Sequence, residues 1–383
     1  MTWADPSRYI ERILVEESCL DDDYCQAILR RAALPWTVFS GEEAPPARDA
    51  ATVWNTAKKT LALRRYQGRF FKPCPGTKEY RCCGYQVLAT GFNCPMDCVY
   101  CILQAYLNQP WTSGFINISD LLAELSQALG SGQPLGKPMR VGSGEFSDSL
   151  ALDRLTHLSR ILVPFFAGHD QAVLELKTKS AVVDNLADLE HNGHTIVAWS
   201  LNSPEIMRRY ELRSATLAER LAAAKRCAGW GYRLAFHFDP LIFHDRWQDG
   251  YRQTIAALFK AVPAERIAWI SLGALRFLPP LKQIATARFP QSAIYRHEFI
   301  DGLDGKRRYF RPRRVELYQF VYQELRKFVS PDTCVYFCME SDEIWRDVMG
   351  FVPEERGGLA AMLDRAALPA LAGQPNKTAG AGD

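Results

Sequence analysis

The sequence predicts an α/β fold whose core is a parallel sheet of six strands with helical crossovers, curled into an open or partial barrel. Two observations predict it. From residue 83 onward, short runs of β-branched and aromatic residues alternate with amphipathic stretches of helical period. Such regular alternation builds strand-helix-strand units, whose strands lie parallel in one sheet. The strand runs are Tyr85 to Thr90, Met139 to Gly142, Ala172 to Lys177, Thr195 to Leu201, Leu234 to Phe238 and Ile267 to Leu272. Helical periodicity falls between them at Leu121 to Leu129, Ala151 to Leu162, Leu217 to Cys227 and Tyr251 to Ala261. In this architecture functional side chains gather at the C-terminal ends of the strands.

The flanks read differently. Residues 1–80 form a small α/β extension, with a helix from Asp21 to Ala33, the polar loop SGEEAPPARDA and the basic segment KKTLALRRYQGRFFKP. The barrel is expected over 81–300. A C-terminal extension over 301–350 carries a basic loop, a helix from Val315 to Phe328 and a buried strand in TCVYFCME. Residues 351–383 end rich in Ala, Gly and Pro, the composition of a partly flexible tail. No internal repeat is present.

With 383 residues, 48% of them hydrophobic, the chain can bury a large core. No run of about 18 apolar residues occurs, so no membrane partner is expected. The start, MTWADPSRYIERILVEESCL, has acidic residues where a secretion signal needs a basic start and an apolar run. A cytoplasmic location follows, and it makes the triplets at Asn117 and Asn376 chance glycosylation matches. Eleven cysteines in a reducing compartment point to metal or redox chemistry where they cluster. A net charge of +3 announces no nucleic-acid binding by itself.

They cluster in NCPMDCVYC, which spaces Cys94, Cys98 and Cys101 three and then two residues apart. Structural zinc closes its tetrahedron with four ligands, usually in two short pairs. No fourth ligand is near: Cys82 and Cys83 belong to the incoming strand and the closest histidine is His157. Ferredoxin spacings supply four cysteines. Three thiolates on a four-iron cluster would instead leave one iron open to a small molecule.

This loop, with an aromatic before its last cysteine and placed after the first barrel strand, resembles the radical S-adenosylmethionine (SAM) superfamily. The resemblance implies a partial (β/α)6 barrel of that type. It implies a [4Fe-4S] cluster on Cys94, Cys98 and Cys101, and SAM bound at the open iron and cleaved by one electron to a 5'-deoxyadenosyl radical. An electron donor such as flavodoxin or ferredoxin is implied as a partner. The stretch Gly142, Ser143, Gly144, Glu145 after the second strand resembles the family turn that meets the methionine amino group. Two glycines let backbone approach a ligand, and a carboxylate suits an ammonium. Read from residues alone it is equally a strand-to-helix loop capped by Ser147 or Asp148. Lys177, Lys179, Ser200, Asn202, His237, Asp239 and Arg276 sit at later strand ends; Lys179, Ser200, Asn202 and Asp239 join the cofactor candidates, with helix capping as the alternative.

Over roughly residues 60 to 290 the chain is similar to the spore photoproduct lyase family. FFKPCPGTKEYRCCGYQVLATGFNCPMDCVYCILQAYLNQP, FSDSLALDRLTHLS, LKTKS, FHFDPLIFHDRWQDGY and LGALRFLPPLKQIATARFP carry the likeness. It implies hydrogen abstraction from C6 of a methylene-bridged thymine dimer in DNA, rupture of the bridge and restoration of two thymines. Two departures stand out. The place of the family's hydrogen-returning cysteine falls on Glu145, and of two tyrosines flanking the last cluster cysteine only Tyr100 is kept, with Ile102 at the other place. Tyr100, Cys82 and Cys83 are the remaining catalytic candidates; Cys227 and Cys338 are conceivable hydrogen-returning thiols as well, with the core as the expected place of both.

KRRYFRPRR adds Lys306, Arg307, Arg308, Arg311, Arg313 and Arg314 as phosphate contacts interleaved with two aromatics, against a solvated basic loop as the alternative. The basic segment from Lys58 would extend that surface and suit a lesion flipped into the barrel mouth. A second hypothesis keeps the radical chemistry on a peptide, nucleotide or metabolite. A third is a cluster- or zinc-holding nucleic-acid binding protein without turnover. The sequence does not give the oligomeric state.

Overall fold

The computed structural model describes residues 4–40, 50–76, 79–130 and 138–367. Most of the polar loop, 41–49, and the tail from 368 with Asn376 lie outside them.

The barrel sheet has seven parallel strands, one more than the sequence predicts. In order they are Gln86–Leu88, Met139–Gly142, Ala172–Thr178, Thr195–Ser200, Arg233–Leu241, Ile267–Ala274 and Cys334–Phe337, each paired with the next. The seventh comes from the expected C-terminal extension and pairs Trp269 with Cys334. An antiparallel strand, Phe71–Pro73, finishes the other edge. Every residue of Ile267–Ala274 is buried, as expected of a strand covered on both faces.

Helices Ile118–Gly130, Leu217–Gly229 and Trp247–Ala261 provide crossovers where helical periodicity predicts them. Leu217–Gly229 begins with a reciprocal capping box between Thr216 and Glu219. The single helix expected from Ala151 to Leu162 is broken into Asp153–Thr156 and Ser159–Ala167. His157, at φ 52°, ends the first piece, and the Asp153 carboxylate starts the second by accepting from Ser159 N and Oγ at 2.9 and 2.7 Å.

A second sheet runs Trp36–Phe39, Arg12–Glu16, Thr60–Arg64, Thr112–Phe115, Gly91–Phe92. Its last two strands lie beyond residue 80 and bracket the cysteine loop, so that loop hangs between the two sheets. The segment KKTLALRRYQGRFFKP therefore contains a strand and is no continuous basic surface.

Buried side chains cross the barrel interior and show its curl. Glu175 on the third strand accepts from the Tyr85 hydroxyl and from Trp269 Nε1 at 3.0 Å, and meets His237 Nε2 at 2.8 Å. The loop between Phe71–Pro73 and Gln86–Leu88 spans to the opposite edge, where Arg81 grips Asp342 at 2.7 and 2.8 Å. Cys82 and Cys83 lie on this span, ahead of the strand rather than on it.

Candidate active site

The cysteine loop is anchored from beneath by a lysine. Lys58 is fully buried, and its Nζ donates to Asn93 Oδ1, Cys94 O and Met96 O at 2.9, 3.0 and 2.7 Å, which uses all three of its hydrogens. Asn93 sits at φ 63°, where its side chain also accepts from Cys94 N at 3.0 Å and donates to Pro110 O at 2.8 Å. Asp97 is held by buried Arg288 at 2.8 Å, and Gln104 donates to Cys98 O at 3.1 Å.

Burial pushes the Cys94 thiol up to about 12 and Cys98 well above its ordinary value, against the pull of Lys58 on the first and Lys179 on the second. Cys94 and Cys101 each perturb Cys98, so the three sulfurs share one neighbourhood. Among the described residues, no three His, Cys, Asp or Glu side chains converge as the ligands of a single ion do. Cys98 is buried and Cys94 and Cys101 partly so, with Lys58 near Cys94 and Lys179 near Cys98; three thiols that do not converge on one point fit a multi-iron cluster, whose corners keep ligands separate.

Facing that loop is a ring of charges at the strand exits. Lys177 donates to Glu145 in a half-buried ion pair. Burial pushes the Lys177 ammonium down, but Glu145 and Glu175 outweigh it and raise the net value. Arg276 binds Asp239 at two points, 3.0 and 2.9 Å. Asp148 accepts from Leu150 N, Ala151 N and Thr178 Oγ1 through one oxygen and from Lys179 N through the other, at 3.1, 2.8, 2.6 and 2.8 Å. It braces the second-strand loop and ties it to the third strand, and does not cap the next helix, which starts at Asp153 after Leu152 without a side-chain cap. Gly144 is needed there, because a Cβ would stand 2.9 Å from Lys177 O.

Behind the loop lies a buried chain. Tyr100 donates its hydroxyl to Glu211, and Glu211 accepts from Arg220 at 2.6 Å. Arg220 also donates to Ser200 O, Ser214 Oγ and Ala215 O. Lys179 Nζ stands 5.8 Å from the centre of the Tyr100 ring.

The sequence profile described as spore photoproduct lyase matches residues 44–331. The chain belongs to the spore photoproduct lyase family. A spore photoproduct lyase from Geobacillus sp. is 28% identical over 274 residues, 71% of this chain and 76% of that protein. One from Bacillus subtilis is 26% identical over 282 residues, 73% and 78% of the two. A solved mutant spore photoproduct lyase with bound AdoMet and dinucleoside spore photoproduct superposes with a TM-score of 0.77 at 23% identity, covering 86% of this chain and 99% of that one. That likeness carries the fold.

Within this family member the sequence candidates separate. Glu145, Lys179, Asp239 and the cysteine trio meet at the exits of the barrel strands. Ser143 shares a hydrogen bond with Ser149 at 2.9 Å on the same loop, and Gly142 packs under Tyr85. Ser200 is buried below. Asn202 does not face the site: it is 1% exposed, donates to Pro240 O and accepts from Ser203 N and Tyr251 Oη.

The basic run splits too. Arg308 and Arg314 are corrected from phosphate contacts to core residues. Arg308 is 1% exposed, donates to Asp304 at 2.8 Å and Met339 O at 3.1 Å, and covers the Tyr80 ring. Arg314 is buried against Tyr309 O at 3.0 Å and Glu340 at 3.4 Å. Lys306 is tied to Asp304 at 2.9 Å. Arg307, Arg311 and Arg313 remain outward, paired with Asp301, Asp347 and Glu316.

Lys58 escaped the sequence reading, which makes it surface charge. The sequence offers Cys338 as a donor thiol but expects it in the core. Cys338 instead lies half-buried beside the charge ring, with Arg276 Nη2 3.5 Å from its sulfur. Cys227 is fully buried, as expected.

Proposed function

We propose that this protein is a radical SAM enzyme that repairs spore photoproduct, the methylene-bridged thymine dimer of DNA. Three thiols held at the mouth of a curled parallel barrel, in a chain of the spore photoproduct lyase family, carry the reading. Cys94, Cys98 and Cys101 would hold the [4Fe-4S] cluster, and Gly142, Ser143, Gly144, Glu145, Lys179, Ser200 and Asp239 would line the SAM site. When bound, the cluster supplies the electron that cleaves SAM to the 5'-deoxyadenosyl radical.

This chain's own residues do the rest. Lys58, Asn93 and the Asp97–Arg288 pair fix the loop, so that its sulfurs need little reordering on loading. Glu145 would offer a carboxylate to the methionine ammonium, oriented by its ion pair with Lys177. The mouth excludes bulk water on its strand side through Tyr85, Trp269 and His237, all closed over Glu175.

DNA would lie across the C-terminal side. Two adjoining clefts there, of about 580 and 760 Å3, share His297 and are bordered by Arg296 and Arg313 in one and by Lys282 and Arg307 in the other. Phe310, 46% exposed, gives a base something to lean on. The reductant would be a flavodoxin- or ferredoxin-class protein. Among the described residues no helix is long and apolar enough to cross a membrane, and eleven free thiols suit a reducing cytoplasm.

Glu145, standing at the family's thiol position, favours a second reading: the same radical chemistry on another nucleotide, peptide or metabolite. Anaerobically reconstituted protein, given dithionite, SAM and irradiated DNA, should yield thymine and 5'-deoxyadenosine. 5'-Deoxyadenosine without loss of the lesion would move the substrate to the second reading; neither product would defeat both.

A further inference from the structure

Removing the C6 hydrogen leaves a carbon radical. Breakage of the methylene bridge then sends one electron of that bond into the restored C5–C6 double bond and leaves the other on the exocyclic carbon. That carbon needs a hydrogen atom to become a methyl group. The Glu145 carboxyl is unsuited, because an O–H bond is too strong to surrender hydrogen to such a radical, whereas an S–H bond is weak enough.

We propose that Cys338 is the hydrogen-atom donor in this enzyme, an assignment that rests on the spore photoproduct reading above. Its S–H bond breaks, the product C–H bond forms, and the unpaired electron passes to sulfur. One electron from the same class of low-potential one-electron reductant that serves the cluster, together with one proton from solvent, restores the thiol.

The position is built for this. Cys338 directly follows the seventh parallel strand, at the exit end where the charge ring lies, and its N–H bonds to Leu272 O at 3.0 Å, so the backbone is fixed. Arg276, itself clamped to Asp239, directs an N–H at the sulfur from 3.5 Å and leaves the thiol hydrogen free to face elsewhere. Glu145, Asp239 and Lys177 all lie near enough to perturb the thiol. A donor lost from the second-strand loop thus has a counterpart across the same mouth. Burial pushes the Cys338 thiol up to about 11 despite Arg276, so at neutral pH it keeps its hydrogen.

The neighbouring sulfurs serve less well. Cys82 is exposed and drawn down, chiefly by a hydrogen bond with Cys83, so its sulfur is turned to its neighbour and to solvent. Cys83 is occupied with Cys82. Cys74 also lies close enough for Glu145, Lys177 and Cys338 to perturb it, but among the described residues no arginine aims at its sulfur as Arg276 does at that of Cys338. Cys227 is enclosed in a helix.

The test follows hydrogen through the holoenzyme in D2O with irradiated DNA. Wild type should place one deuterium in the methyl group of restored thymine. Cys338→Ser should keep its brown colour and still form 5'-deoxyadenosine, but lose restored thymine by about two orders of magnitude. Cys74→Ser should transfer the label as wild type does. Independently of turnover, an oligonucleotide carrying the lesion should protect Cys338 from iodoacetamide, and an undamaged one should not. Labelled thymine at the wild-type rate from Cys338→Ser, or loss of transfer in Cys74→Ser alone, would overturn the assignment while leaving the function standing. A wild type that never consumes the lesion would overturn both.

Discussion

Arg276 holds Asp239 in a two-point ion pair across the exits of the fifth and sixth barrel strands, Nη1 to Oδ1 at 3.0 Å and Nη2 to Oδ2 at 2.9 Å. Burial pushes the Asp239 carboxyl up, but Arg276 with help from Lys177 and His237 outweighs it and keeps the group ionised. Removing the guanidinium leaves a half-buried carboxylate without its main partner, so Arg276→Ala should lose about 1–3 kcal/mol of stability. The urea midpoint checks it. The paired change Arg276→Met with Asp239→Leu should recover most of the loss and still abolish turnover.

Glu175 gives the protein an acid-sensitive centre. Burial raises its pKa, yet His237, Lys177 and the Tyr85 hydroxyl together bring it from 4.5 to about 2. A folded value below the unfolded one stabilises the protein above pH 4.5, and that contribution is lost as pH falls toward 2. It amounts to about 3 kcal/mol. Glu175→Gln should be less stable by about this amount at pH 7 and should converge with wild type in acid. Unfolding free energies measured across that range decide it.

What could be read beforehand was what repeats or what is spaced locally. Six strands were legible because continuous apolar runs such as IAWISLGA have one use in a soluble sheet. The seventh was visible as a buried strand, but its pairing with Ile267–Ala274 depends on a return of some sixty residues that no local pattern encodes. The cysteine trio was legible from spacing. Lys58 was not, since a lysine in KKT looks the same whether it meets water or three carbonyl-type oxygens. Arg308 and Arg314 misled for the same reason: the acids that absorb them, Asp304 and Glu340, are separated from them by a turn in one case and a helix and strand in the other.

The outward arginines should set how DNA affinity responds to salt. Arg307 and Arg313 border the two clefts, and Arg313 also lies over the Phe243 ring at 3.7 Å. Each that contacts a phosphate releases about one counterion, so Arg307→Ala and Arg313→Ala should each flatten the log–log salt slope by about 1. Arg308→Ala should leave the slope unchanged in whatever protein folds, while lowering its stability. Titrations of a lesion-bearing duplex at several salt concentrations separate these outcomes.

The cluster loop depends most on Lys58. Its ammonium satisfies Asn93, Cys94 and Met96 at once, and nothing polar of similar reach replaces it if the side chain becomes apolar. Lys58→Met fills the same space but leaves the Cys94 and Met96 carbonyls without this donor, each worth about 1–3 kcal/mol, while Asn93 Oδ1 keeps only Cys94 N. The loop would relieve that cost by moving, which separates the sulfurs from the geometry a cluster requires. Iron per chain after anaerobic reconstitution should therefore fall several-fold in Lys58→Met, and to background in Cys98→Ala. Lys59, next in sequence but paired at the surface with Glu11 at 2.7 Å, supplies the comparison. Lys59→Met should retain wild-type iron and lose under about 1 kcal/mol. Equal iron in the two lysine variants would mean that the loop holds its shape without Lys58.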